Sequence, residues 1–295
     1  MDDAARRAAT LDIWSGPVDP VPLPGGISNH NFLVEDDGQR YVVRVGEDAP
    51  EHAVYRFNEV TVSMAAHAAG LSPGVLHHEP DVLVLEYLEG ARALTPEDIC
   101  DPAYMERLVG LIGRCHMDLP GYLEVPGPMF WVFQVNRRYA RIIAEGKARG
   151  RESLSAWMAL NDRLEEIAGS IRPVFCHNDL LAANILDDGE RLWLVDWEYG
   201  AWNSALFDLA NLSTNAGMSA DLETELLTRY GAVQGEPPAA AAFGAMKCAS
   251  LLREALWSLV SELHSTIAFD YEAYSDDYVA RLDRAVAALR EAGTL

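Results

Sequence analysis

Asp179, Asn184 and Asp196 are the residues from which a chemistry can be argued. The first two stand in H-N-D-L-L-A-A-N-I-L, His177 to Leu186, and the third ends L-W-L-V-D. Two carboxylates and an amide are out of place in runs that otherwise read as apolar interior, unless they converge on a common task. Between the runs, D-D-G at Asp187 to Gly189 signals a hairpin. A hairpin brings its two ends together, so Asn184 and Asp196 are expected side by side, with Asp179 nearby. Hard oxygen donors of this kind suit Mg²⁺, which takes one or two carboxylates and completes its shell with water and substrate phosphates. The spacing H-x-D-x-x-x-x-N, a hairpin and a further Asp is an arrangement for phosphotransfer. In it Asp179 accepts a hydroxyl proton while Asn184 and Asp196 hold Mg²⁺ on ATP. A polar loop whose Asp and Asn merely cap turns is the alternative for any one of these residues taken alone.

The elements that would position these groups fall into two regions. From 21 to about 90 the texture is strand-like. P-G-G-I-S-N-H-N-F-L-V-E-D-D-G-Q-R-Y-V-V-R-V predicts a hairpin about Asp36 to Gly38, and G-V-L-H-H-E-P-D-V-L-V-L-E-Y-L-E-G predicts a second one turning at Pro80 and Asp81. Between them, 52–70 carries helical periodicity ending on Gly70, a C-cap residue. Beyond Gly90 the amphipathic segments 103–119, 154–168 and 278–290 predict helices. The expected fold class is α+β, with a nucleotide-binding lobe over 1–90 and a catalytic and substrate-binding lobe over 91–295. E-P-P-A-A-A-A at 236–242 reads as a loop entering a helix.

Composition sets limits. A chain of 295 residues, 49% of them hydrophobic, can bury a large core. With 23 Lys+Arg against 45 Asp+Glu the formal charge is −22, which argues against a nucleic-acid surface and favours cationic ligands. Cys100, Cys115, Cys176 and Cys248 are scattered without C-x-x-C spacing, so neither a disulfide framework nor a zinc site is suggested. No apolar run approaches the roughly 20 residues that span a bilayer, and a cytoplasmic location without membrane insertion is expected. Oligomeric state is not legible.

H-N-D-L-L-A-A-N-I-L with L-V-D-W-E-Y resembles the signature of the choline/ethanolamine kinase family, a branch of the protein-kinase-like superfamily that includes the aminoglycoside phosphotransferases. The resemblance runs from about Pro24 to about Tyr278 and implies a protein-kinase-like bilobal fold, with a small β-rich N-lobe and a larger, mainly helical C-lobe. It implies that Gly25, Gly26, Ser28 and Asn29 form a phosphate loop, glycine permitting close backbone approach. Arg44 would contact the nucleotide phosphates, Glu59 would be its ion-pair partner, and the backbone from Glu86 to Leu88 would meet adenine. His177 and Asp208 would support the catalytic loop.

For the acceptor, Tyr199 follows Asp196 closely with Trp202 near it, and the resemblance places cage aromatics at Trp257 and Tyr274. A quaternary ammonium has no hydrogen-bond donor, so aromatic faces and carboxylates must recognise it. Two departures stand out. Glu254 replaces one tryptophan of the W-x-x-W pair common in eukaryotic choline kinases, and Asn215 falls where an acidic contact is expected. With Glu254 taking over the lost negative charge, a primary ammonium, which can hydrogen-bond a carboxylate, would fit as well as a trimethylated one. The expected activity is therefore ATP- and Mg-dependent phosphorylation of choline or a similar amino alcohol. Ethanolamine, thiamine, an aminoglycoside or a sugar are alternative acceptors, and an inactive kinase-like binding module is a further alternative.

Overall fold

The computed structural model describes residues 2–23, 29–146, 148–234, 239–265 and 267–295, without the side chain of residue 234. A short helix α1 (Asp3–Ala9) precedes strands β1 (Val21–Pro22), β2 (His30–Asp36) and β3 (Gln39–Val45). Alternation does the sorting here: Phe32, Val34, Val43 and Val45 turn inward against Ala5, Ala8 and Leu11. Asp37 (φ 48°) and Gly38 (φ 73°) both take left-handed backbone in the β2–β3 turn, as a type I′ turn requires. Helix α2 (Arg56–Ala68) and the hairpin β4 (Val75–Glu79) and β5 (Val82–Glu86) follow, completing an antiparallel sheet ordered β1-β2-β3-β5-β4. The helix begins four residues later than periodicity predicts. A bridge between Ala49 and Val54 closes the segment 50–52 into a 3₁₀ turn. Asp48 Oδ1 then accepts the Arg56 N–H at 2.7 Å, which satisfies one of the open donors at the start of the helix.

Past Glu86 the chain enters the helical lobe. Its elements are β6 (Arg92–Ala93), α3 (Pro96–Ile99), α4 (Pro102–Met117), α5 (Val132–Gly146), α6 (Leu154–Ala168) and β7 (Pro173–Cys176). Next come β8 (Ile185–Asp187), β9 (Leu192–Leu194), β10 (Ala201–Ser204), α7 (Ala205–Ala216), α8 (Ala220–Gln234), α9 (Ala240–His264) and α10 (Tyr271–Glu291). α9 is the axis of this lobe, packed by α5, α6, α7 and α10, and every residue from Cys248 to Ser261 is buried. A helix covered on all sides is normally apolar throughout, so the charges of Arg253 and Glu254 inside it demand partners. α10 starts seven residues earlier than its predicted span because Asp270 caps it, accepting the Ala273 N–H at 2.9 Å. β7 pairs with β10, a strand that sequence reasoning did not single out. No helix among the described residues is long and apolar enough to cross a membrane.

The β8–β9 hairpin is fixed to α4 at its turn. Arg107 donates to both oxygens of Asp187, at 2.6 and 3.1 Å, and Tyr104 Oη donates at 2.9 Å. Hydrogen bonds from Arg107 hold the Asp187 carboxyl at about 2, outweighing the opposing effect of burial. Because the folded value lies below the unfolded one, the stabilisation is complete above the ordinary carboxylate range and is lost as pH falls toward about 2. Asp187→Asn should therefore lower the melting temperature at neutral pH, with a difference that narrows as melts are taken from about pH 5 to about pH 3. A difference that stays constant would show that charge does not hold this turn.

Candidate active site

Asp208 on α7 organises the loop that follows β7. Fully buried, its carboxylate accepts the backbone N–H groups of His177 (2.8 Å) and Asn178 (2.7 Å), and His116 Nε2 lies 3.0 Å away. One turn on, Asn211 Oδ1 accepts the N–H of Leu180 at 2.6 Å, so residues i and i+3 of a single helix face grip one loop. Asn178 sits at φ 66° and donates from Nδ2 to the Tyr199 carbonyl at 2.9 Å. His177 is buried, with Nε2 2.9 Å from the Val195 carbonyl. Burial lowers its pKa, so it is a neutral brace within the loop.

The hairpin does bring its ends together. The Val195 N–H donates to the Asn184 carbonyl at 3.0 Å, and Asn184 Nδ2 donates to the Asp179 carbonyl at 3.0 Å and reaches Asp179 Oδ2 at 3.4 Å. Asp196 adopts φ 69°, an uncommon backbone for a residue with a Cβ. Arg44 joins the lobes across this point: Nη2 donates to Asp196 Oδ1 at 2.6 Å and Nε lies 2.8 Å from Glu59 Oε1. One carboxylate and one amide carbonyl, both hard donors beside the same cleft, fit Mg²⁺.

Sequence reasoning gave Glu198 no role. Buried two residues beyond Asp196, it accepts from Asn29 Nδ2 at 3.0 Å and lies 3.5 Å from Arg56 Nη1. Arg56 also pairs with Glu59. Burial, reinforced by Asp196, pushes the Glu198 carboxyl up to about 7. Gly200 lies where the α2 face meets this loop. A Cβ there would stand 2.7 Å from Val62, and Asn58 Nδ2 donates to the Gly200 carbonyl at 3.1 Å.

On the nucleotide side, Gly25, Gly26 and Ser28 lie outside the described residues. Asn29, next in the chain, is buried. Glu86 ends β5 with its N–H donated to the Gly74 carbonyl at 2.9 Å, and the Leu88 carbonyl accepts the Ala91 N–H at 3.2 Å.

The acceptor side differs most from expectation. Trp257 Nε1 donates to Tyr199 Oη at 3.1 Å, and Tyr274 is edge-on to Trp257 with ring centres 6.0 Å apart. Phe269, 5.6 Å from Tyr274, extends the aromatic group, and Tyr278 Oη donates to Asn215 Oδ1 at 3.0 Å. Trp202 does not join this group. Its ring is edge-on to Phe175 at 5.7 Å, because its place in β10 opposite Phe175 turns it toward the β7 side. Tyr199 is present, but its ring already serves an internal cation, the Arg253 guanidinium 4.5 Å from its centre. Glu254 is not free either. Arg253 Nη1 pairs with one of its oxygens, and Tyr274 Oη donates to the other at 3.1 Å.

Two further residues were missed. Arg253 Nη1 lies 3.5 Å from Asp179 Oδ1. The legible signal was a charged R-E pair inside the apolar run A-S-L-L-R-E-A-L-W. His52 reaches in from the small lobe, its ring 5.3 Å from Trp257 and its Nε2 3.1 Å from Ser261 Oγ. Burial lowers its pKa to about 3 and keeps it neutral. Burial also pushes the Asp179 carboxyl well above the usual carboxylate range. Arg253 opposes that shift, while Glu254, Asp196 and Glu198 add to it.

A family model described as the phosphotransferase enzyme family matches residues 19–247. The chain belongs to that family. Among curated relatives, Protein LicA of Haemophilus influenzae is 28% identical over 215 residues, covering 72% of this chain and 62% of its own length. The chain thus spans less than two thirds of that relative. Ethanolamine kinase 2 of Mus musculus is 27% identical over 274 residues, covering 83% of this chain and 69% of its own. Of the solved structures, a choline/ethanolamine kinase family protein from Mesorhizobium loti is 27% identical, with TM-score 0.73, covering 96% of this chain and 94% of that one. Choline kinase LicA from Streptococcus pneumoniae shares the fold at TM-score 0.77, with 23% identity and coverage of 92% and 94%.

For this phosphotransferase, the anchoring of the loop can be measured. Asp208→Ala leaves two buried N–H groups without an acceptor and should cost about 3 kcal/mol in urea denaturation. A cost below about 1 kcal/mol would show that the loop keeps its shape without the carboxylate.

Proposed function

We propose that this chain transfers the terminal phosphate of ATP to the hydroxyl of choline or a closely similar N-methylated amino alcohol. The observation that carries the choice of head group is the engagement of Glu254 within the protein. Both of its oxygens are bonded inside the protein, one by Arg253 and one by Tyr274. A primary ammonium brings three N–H donors that need acceptors, and burying them unmet is costly. A quaternary ammonium needs none and is attracted by ring faces, here those of Trp257 and Tyr274 with Phe269 beside them. Relatives named LicA and relatives named ethanolamine kinase leave that choice open, and these contacts favour the quaternary head group.

In this reading Asp179 accepts the acceptor's hydroxyl proton as the oxygen forms its bond to the γ-phosphorus and the bond to the β-phosphate oxygen breaks, releasing ADP. Asn184 and Asp196 hold Mg²⁺, which when bound neutralises charge on the transferring phosphate. Arg44, kept in place by Glu59 and Asp196, faces the nucleotide phosphates. Asn29, beside Arg44 and Glu198, stands on the phosphate side, and the backbone from Glu86 to Leu88 meets adenine. The crowding of Asp179 by Glu254, Asp196 and Glu198 suits a cationic acceptor, whose charge draws Asp179 back toward its ionised, proton-accepting form. Large polycations need an open acidic cleft, whereas Glu254 and Trp257 are buried.

Assays with ATP and Mg²⁺ should show kcat/KM for choline at least about tenfold above that for ethanolamine. Asp179→Ala should lower kcat by about 10³. Absence of turnover with every cationic alcohol would sink the reading.

A further inference from the structure

We propose that Arg253 is the specificity-determining and positioning residue of the acceptor site, an internal cation that neutralises Glu254 and takes one acceptor position on it, and so disfavours primary ammonium groups relative to quaternary ones. The inference rests on the acceptor reading above and gives it a cause.

Arg253 is 2% exposed on the fully covered face of α9. Its Nη1 pairs with Glu254 and lies 3.5 Å from Asp179 Oδ1. A single nitrogen touching both groups keeps the proton-accepting carboxylate and the head-group carboxylate within about 6 Å of each other. A hydroxyl at Asp179 and a head group beside Glu254 would thus be separated by a distance that a short amino alcohol can span. The opposite edge of the guanidinium, Nε and Nη2, is buried with no hydrogen-bond partner among the described residues. The rings of Tyr199, at 4.5 Å, and Phe130, at 5.7 Å, flank it instead. Ring faces attract a cation without offering it a proton acceptor, so this packing retains the charge of Arg253 while Nη1 keeps its two carboxylates. Tyr199 therefore acts on the acceptor through Arg253. Tyr274 completes the arrangement, because its hydroxyl takes the second oxygen of Glu254 while its ring stays beside Trp257.

Arg253→Met frees an oxygen of Glu254 and its charge. The ratio of kcat/KM for choline to that for ethanolamine should fall by about tenfold or more. kcat should fall for both acceptors, since Asp179 loses its lateral contact, while KM for ATP stays unchanged. Arg253→Met combined with Glu254→Gln removes the freed carboxylate and should return the ratio toward the parent value. Tyr274→Phe releases only the second oxygen, keeps the ring, and should shift the ratio the same way by a few-fold. Should Arg253→Met fail to fold, Tyr274→Phe decides, read as ethanolamine affinity by calorimetry. A loss of activity equal for both acceptors, with an unchanged ratio in every folded variant, would overturn the inference and leave the choline reading standing. A parent enzyme that phosphorylates no amino alcohol would remove that reading first.

Discussion

Five carboxylates crowd one small volume between the lobes, and the cost of burying like charges governs the rest of the structure. Asp179, Asp196, Glu59, Glu198 and Glu254 lie close together, and a buried anion without a partner is tolerated only if it is protonated or matched. Three arginines do the matching. Arg44 serves Glu59 and Asp196, Arg56 serves Glu59 and Glu198, and Arg253 serves Glu254 and Asp179. Each guanidinium touches two carboxylates, so none of these pairs is independent of the others. Glu59 is shared by Arg44 and Arg56, whereas among these cations Asp179 and Glu254 depend on Arg253 alone, and the geometry of sheet, α2, catalytic loop and α9 has to satisfy all three at once.

The division of labour follows from that constraint. The sheet contributes Arg44 and α2 contributes Glu59 and Arg56, while the hairpin beyond the catalytic loop presents Asp196 and Glu198. α9 contributes Arg253 and Glu254 from a stretch with no solvent on any side. The loop after β7 and the buried α9 meet in one residue, since Arg253 touches both Asp179 and Glu254.

Local signals carried the phosphotransfer core. D-D-G set two hairpins, and the spacing of Asp179, Asn184 and Asp196 implied their meeting before any coordinates. Such features depend on backbone connectivity, which sequence encodes directly. The pocket for the acceptor was less legible because it depends on side-chain direction. Trp202 is near Tyr199 in sequence, yet strand alternation in β10 turns its ring to Phe175. Glu254 reads as an available anion until its neighbour Arg253 is seen to fold back onto it. The late start of α2 has a similar origin, since a bridge six residues long overrode helical periodicity with a tertiary demand for His52 at Trp257.

His52 also ties the small lobe to α9. Its 3₁₀ turn belongs to the chain between β3 and α2, but its ring lies between Tyr139 of α5, Ser261 and Trp257 of α9. One side of Trp257 is thus covered by the chain between β3 and α2. The packing around Trp257 is a shared property of both lobes: an excised helical lobe would present Trp257 with that side bare.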